Sequence, residues 1–195
     1  DVKATKPTVL VGVSPFGIWR SGTPAGITGL DAFSEIYADA RRWLSEGWVD
    51  YLAPQLYWEV SGVQDRFRAL DAWWCTQNPL GRYIWPGLYT SHVYGGSDPW
   101  PAAEIQTQIA TIRDARTGSN ELPGHIHFRL AALFADNDRI AGQIASEYVQ
   151  RALVPAFPWL GAATPASPVV SAVSTDGPSA FAVAAGDTIP VRWWL

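Results

Sequence analysis

WVDYLAPQLYWE, residues Trp48 to Glu59, is the stretch on which the fold turns. Val49, Tyr51 and Leu52 make an apolar, β-prone run. Pro54 interrupts regular pairing, and Gln55, Tyr57 and Trp58 follow at once. A buried strand that breaks into polar and aromatic side chains is how a parallel barrel strand delivers a ligand-binding edge. Gln offers a donor and an acceptor, Tyr a hydroxyl and a face, Trp the broadest face and one N–H. Such a set suits a neutral, hydroxyl-rich ring better than an ion. A strand end whose aromatics only pack beneath a loop is the other reading, and recurrence of similar edges weighs against it.

Upstream, Thr8 to Val13 (TVLVGV) reads as a continuous apolar strand buried on both faces, ended by Ser14-Pro15-Phe16-Gly17. Asp31 is placed to cap a helix with Phe33, Ile36, Tyr37, Ala40 and Leu44 along one stripe, and Gly47 fits its stop. Downstream, Val63, Phe67, Leu70 and Trp74 mark a second helix, closed by Asn78-Pro79. A third strand covers Tyr83 to Tyr89 and trails Thr90, Ser91 and His92. Pro101 opens a helix with Ile105, Ile109 and Ile112 on its buried side. The fourth strand runs roughly from His125 to Phe134, and Asp136-Asn137-Asp138 caps a last helix with Ile140, Ile144 and Tyr148. Four βα units in a row predict an α/β fold with a parallel sheet, open or closed into a barrel. No GxGxxG or GxxxxGK[ST] follows any strand, so a nucleotide-binding doubly wound fold loses support and no cofactor is expected.

The chain of 195 residues carries a net charge of -4 and only two lysines, which disfavours a nucleic-acid partner. Its 11 tryptophans exceed what a core of this size needs; indole faces stack on sugar rings, although some must serve the core. Cys75 is the single cysteine, so neither a disulfide framework nor a zinc set is expected. His125 and His127 lie two apart, yet no third ligand is spaced nearby, and a metal site is not expected. No run of 18 apolar residues suggests a membrane span. After Tyr148, five prolines between Pro155 and Pro178 read as a linker region, and Val169 to Val173, Phe181 to Val183 and Ile189 to Trp194 as short strands. The expected division is 1–160 for the α/β unit and 161–195 for linker and first strands of a β-sandwich.

SPFGIWR (Ser14 to Arg20), YADARRWLSEGWVDYLAPQLYW (Tyr37 to Trp58), WPGLYTS (Trp85 to Ser91), GHIHF (Gly124 to Phe128) and ALVPAFPWL (Ala152 to Leu160) stand in order here. In this the chain resembles family ten of the bacterial glycosyl-hydrolase-like proteins. That family includes exported proteins and lipoproteins, among them a division-site enzyme acting on peptide-stripped peptidoglycan strands. The resemblance implies a TIM (β/α)8 barrel of which this chain carries the last four units, the C-terminal half, followed by a fibronectin- or immunoglobulin-like module. It also implies an exported protein whose substrate is polysaccharide. An acidic run of the DDYFYP type, expected at the fourth barrel strand, does not occur here.

Most glycosidases use two carboxyl groups about 5 to 9.5 Å apart. Here Glu59, directly after PQLYW, is the one acid expected at the rim, as an accessory acid or as a loop carboxylate paired with an arginine. Asp98 reads as a turn residue, and Asp136 and Asp138 as caps. Trp19, Arg20, Gln55, Tyr57, Trp58, Tyr89 and His127 are the expected substrate-binding residues, with His92 a weaker candidate. Gln55 and Tyr57 alternate on a strand and so share a face, the interior one in a barrel. A non-catalytic carbohydrate-binding module and a structural half-barrel that self-associates through its open edges are the competing readings.

Overall fold

The structure, a computed structural model, describes residues 2–93, 95, 97–118, 122–150, 152 and 154–161. Its strands lie side by side in chain order and all run parallel. β1 (Gly12–Val13) pairs with β2 (Tyr51–Leu52), and β2 with β3 (Tyr83–Ile84), which aligns Gly12, Tyr51 and Tyr83. β4 (Gly87–Leu88) prolongs the third segment beyond Pro86 and pairs with β5 (Ile126–His127). Proline has no N–H to donate to a ladder, which splits this segment in two. Bridges from Gln55 to Phe16 and to Gly87 join the two ladders. Hydrogen bonds continue past the short strands: Gln55 N donates to Pro15 O (3.0 Å), Gly87 N to Pro54 O (2.8 Å) and Ser91 N to Phe128 O (2.9 Å). Parallel pairing in chain order, with helices between, is what repeated βα crossovers produce.

Alternation along the strands sorts their side chains. Leu52, Leu56, Ile84 and Leu88 join the core with Phe67, Leu70 and Trp74 of α4 (Arg66–Thr76) and Ile105, Ile109 and Ile112 of α5 (Ala102–Arg116). The two long helices are tied by a buried ion pair, in which Arg116 donates to both carboxylate oxygens of Asp71 at 2.7 and 2.8 Å. Trp74 Nε1 donates to Gly17 O at 2.8 Å and fixes the loop after β1 against α4. The opposite sheet face is aromatic: Tyr51 and Trp85 lie 5.0 Å apart, and Tyr83 stacks on Trp85 at 5.2 Å. Phe157 and Trp159 cover Tyr83 at 5.0 and 5.1 Å.

The structure departs from the sequence reading at four places. The stripe expected from Phe33 to Leu44 is two helices, α2 (Ala32–Glu35) and α3 (Ala40–Ser45). Asp31 caps the first as expected, but Tyr37 turns left-handed and Asp39 starts a second cap, accepting from Arg42 N. Ile36 and Tyr37 consequently face solvent. Val63 is exposed, because the second helix begins only at Arg66. The fourth strand stops at His127, and Leu130–Ala135 is helix α6; apolar runs of this length do not distinguish strand from helix. Val9 and Leu10 are exposed rather than buried, since among the described residues the first segment has a strand partner only on its β2 side. α1 (Val2–Thr5) precedes it, and α7 (Ile140–Ala145), buried through Ile140 and Ile144, packs against α5. The strands expected within 169–194 lie outside the described residues.

Candidate functional site

At the C-terminal ends of the strands the backbone delivers a run of rings. Tyr57 stacks on Tyr89 (centroids 4.7 Å apart, planes at 23°), and Tyr89 stacks on His92 (4.9 Å, 10°). Trp100 sets its edge against both Tyr89 and His92, and Phe128 leans on Tyr57 at 5.7 Å. Burial, then the neighbouring Tyr89 phenol, pushes the Tyr57 hydroxyl above its usual pKa, so it stays a neutral donor. Below these rings a cavity of about 210 Å³ opens on the inner sheet face between Gly12, Ser14, Tyr51, Tyr57, Gly87 and His127. Gly87 has no side chain to fill it, whereas the Tyr51 ring lies directly over Gly12. No carboxylate is among the described residues lining it.

His127 is held at both ring nitrogens. Thr90, fully buried, places Oγ1 2.7 Å from Nδ1, and the Tyr148 hydroxyl lies 2.9 Å from Nε2. His125 Nε2 meets the same hydroxyl. Burial holds both imidazoles below their ordinary pKa; for His125, with His127 and Arg113 adding to the effect, it falls to about 4. Both are therefore neutral at pH 7. Tyr148 is pushed up by burial, with Arg113 acting against and Glu147 with that shift.

The expected site residues divide between the two sides of the sheet. Tyr57, Tyr89 and His127 meet at the rim, and Gln55 sits beside them with its amide nitrogen donating to Ser14 O at 3.1 Å. Trp58, one residue out of phase with Tyr57, turns toward the helices and packs on the core, with Arg66 5.9 Å above its ring. Trp19 also lies on the helical side: it stacks on Trp73 at 5.9 Å and donates through Nε1 to Asp39 at 3.1 Å. Arg20 covers Phe33 at 4.8 Å and faces Asp31 at 3.8 Å. Glu59 is exposed in the loop that Gly62 closes, and it forms no ion pair among the described residues. Thr90, Phe128, Trp100 and Tyr148 belong to the rim and were not singled out by sequence; TSH directly after a strand was the available signal for Thr90.

Residues 1–97 match the family described as Glycosyl hydrolase-like 10. Over 188 residues the chain is 33% identical to glycosyl hydrolase YngK of Bacillus subtilis, covering 90% of this chain and 35% of that protein. It is also 47% identical over 136 residues to glycosyl hydrolase DigH of Escherichia coli K12, covering 66% of this chain and 31% of that protein. The chain belongs to the glycosyl hydrolase-like 10 family. It spans about a third of the length of these curated relatives. The parallel βα units are compatible with such a glycosyl hydrolase-like fold, and in this family member the aromatic rim occupies the strand ends where ligands of parallel α/β folds bind.

Proposed function

We propose that this chain supplies four consecutive βα units, the C-terminal half, of a glycoside-hydrolase-like TIM barrel that acts on polysaccharide, with bacterial cell-wall glycan as the substrate class. The observation that carries the reading is the stack Tyr57–Tyr89–His92 at the C-terminal strand ends, flanked by Gln55 and His127. Ring edges and phenol hydroxyls beside amide and imidazole groups bind sugar C–H surfaces and hydroxyls without an ion partner. Among the described residues, four parallel segments paired in chain order support the half-barrel, as does coverage of a third of the relatives. Hydrolysis of a glycosidic bond needs a carboxyl pair. The described residues lining the cavity include none, so we assign the catalytic acids to sequence outside residues 1–195 and leave Glu59 as an accessory acid. The isolated chain then binds glycan strands without cleaving them.

Binding assays on denuded peptidoglycan strands test this. Tyr57→Ala and Tyr89→Ala should each weaken retention by about tenfold, the equivalent of 1.4 kcal/mol, while the exposed Tyr37→Ala leaves it unchanged. Retention indifferent to Tyr57 and Tyr89 would remove the rim from the argument. Cleavage of the strands by the chain alone would refute the placement of the acids. A purely binding role is favoured by the same absence of an acid pair, and full-length protein without turnover would select it. Self-association follows from the exposed apolar side chains at both sheet edges, Val9, Leu10 and Phe16 beside β1 and Ile126 and Phe128 at β5. A monodisperse monomer by light scattering would count against it. Export, the localisation the resemblance implies, is open to cell fractionation; no helix among the described residues is long and apolar enough to cross a membrane.

A further inference from the structure

We propose that His125 Nε2, His127 Nε2 and the phenol oxygen of Tyr148 form a binding site for a first-row divalent transition cation of the zinc class. This does not depend on the saccharide reading. Alternation in an extended segment sends residues two apart to the same side, so both imidazoles leave β5 together. Their ring planes cross at 83° with centroids 5.1 Å apart, a splayed pair rather than a stack. The third donor comes from a different element, the turn Ser146–Tyr148 that follows α7, which is why spacing alone does not reveal it. Both Nε2 atoms converge on that one oxygen, with His127 at 2.9 Å. Adjacent donors of a tetrahedral ion bound at 2.0–2.1 Å stand about 3.3 Å apart, so small outward shifts admit the ion.

The proton count favours the same conclusion. A phenol hydroxyl carries one proton, so it cannot donate to both Nε2 atoms; one imidazole must itself donate to the oxygen. A divalent cation lets all three atoms act as lone-pair donors: the phenol proton goes to solvent, and the donating imidazole exchanges its Nε2 proton for one on Nδ1. Thr90 Oγ1 already sits on Nδ1 of His127, the outer-shell contact that aims a ligating imidazole's other nitrogen at a metal. Neutral imidazole is the ligating form, and it is the majority form of an ordinary histidine at pH 7. Arg113, the nearby cation, is engaged by the Glu147 carboxylate and carbonyl, which offsets its charge. Tyr148 is partly exposed, which leaves an approach for the ion and a fourth position for water.

The test uses the full chain, stripped by chelator and titrated with Zn²⁺ alone in calorimetry, with the ultraviolet difference spectrum followed in parallel. The expected result is one saturable site of micromolar or tighter affinity, release of a proton, and a phenolate band. His125→Ala and His127→Ala should each weaken binding by about tenfold or more. Tyr148→Phe should weaken it and abolish the band while keeping the packed ring. His92→Ala, which removes the one histidine outside the proposed set, should leave the Zn²⁺ affinity unchanged. Should His127→Ala fail to fold because Thr90 loses its partner, His125→Ala carries the histidine arm alone. Absence of saturable binding up to millimolar Zn²⁺ overturns the proposal. Binding unchanged in His125→Ala does so too, and affinity unchanged in Tyr148→Phe removes the phenol as a ligand.

Discussion

Replacing Asp71 with alanine should cost this domain a large share of its stability. The Asp71 and Arg116 side chains are 3% and 2% exposed, and both carboxylate oxygens receive a guanidinium N–H at 2.7 and 2.8 Å. The substitution leaves the guanidinium in place between α4 and α5. Ile112 O at 3.3 Å and Cys75 Sγ at 3.4 Å are weak acceptors for its terminal nitrogens and do not replace a carboxylate. Removing one member of a buried pair costs about 3–5 kcal/mol, because the remaining charge is stranded away from water. A domain of this kind has roughly 5–15 kcal/mol in all. Urea unfolding of Asp71→Ala should therefore show a midpoint far below the parent at similar slope. Asp71→Leu combined with Arg116→Leu should recover most of the loss, since an apolar pair strands no charge. A single-variant loss under about 1 kcal/mol would refute the account, because the pair would then be solvated rather than buried.

Three further outcomes follow from local geometry. Asp138→Ala removes the acceptor that caps α5 at Ala102 N (2.8 Å) and should cost about 1 kcal/mol by thermal unfolding. A Cβ on Gly12 would stand 2.0 Å from the Tyr51 ring, so Gly12→Ala should destabilise by roughly 1–3 kcal/mol, and Tyr51→Ala in the same chain should relieve it. His125 titrates near 4 when folded against 6.5 when free, so the unfolded chain binds the proton first on acidification. The stability held by its neutral form is full above pH 6.5 and is lost as pH falls toward 4, by roughly 1–2 kcal/mol after solvent screening. A urea midpoint that stays flat between pH 7 and 4.5 would contradict this, and His125→Phe should flatten it.

Sequence alone was most informative where one face of an element is buried throughout. Ile105, Ile109 and Ile112 repeat at helical spacing and all three are fully enclosed. The parallel segments around Gly12, Tyr51, Tyr83 and Ile126 were likewise legible, since each carries an apolar run bounded by breakers. It misled where a local cap overrides a stripe. Asp39 stands within the apolar pattern of Phe33 to Leu44 and splits it, using a carboxylate whose partner Arg42 N is only three residues on. At the rim, parity along β2 separates Tyr57 from Trp58 and was available from the residues, whereas the surplus of tryptophan was a poor guide. Trp19, Trp43, Trp58, Trp73 and Trp74 all pack on or within the helical core. Tyr148 was invisible as a partner of His127 because it lies 21 positions further on, beyond both α6 and α7, and only the folded chain closes that distance.

Asp50, at the end of the sheet remote from the rim, has its own consequence. Burial alone would raise its carboxyl, but Lys3 Nζ, Val11 N and Trp159 Nε1 together hold it below the usual range. One carboxylate thus clasps residue 3 and residue 159, so two segments far apart in the chain are neighbours in space. A single substitution there, Asp50→Ala, would release both segments from the sheet at once.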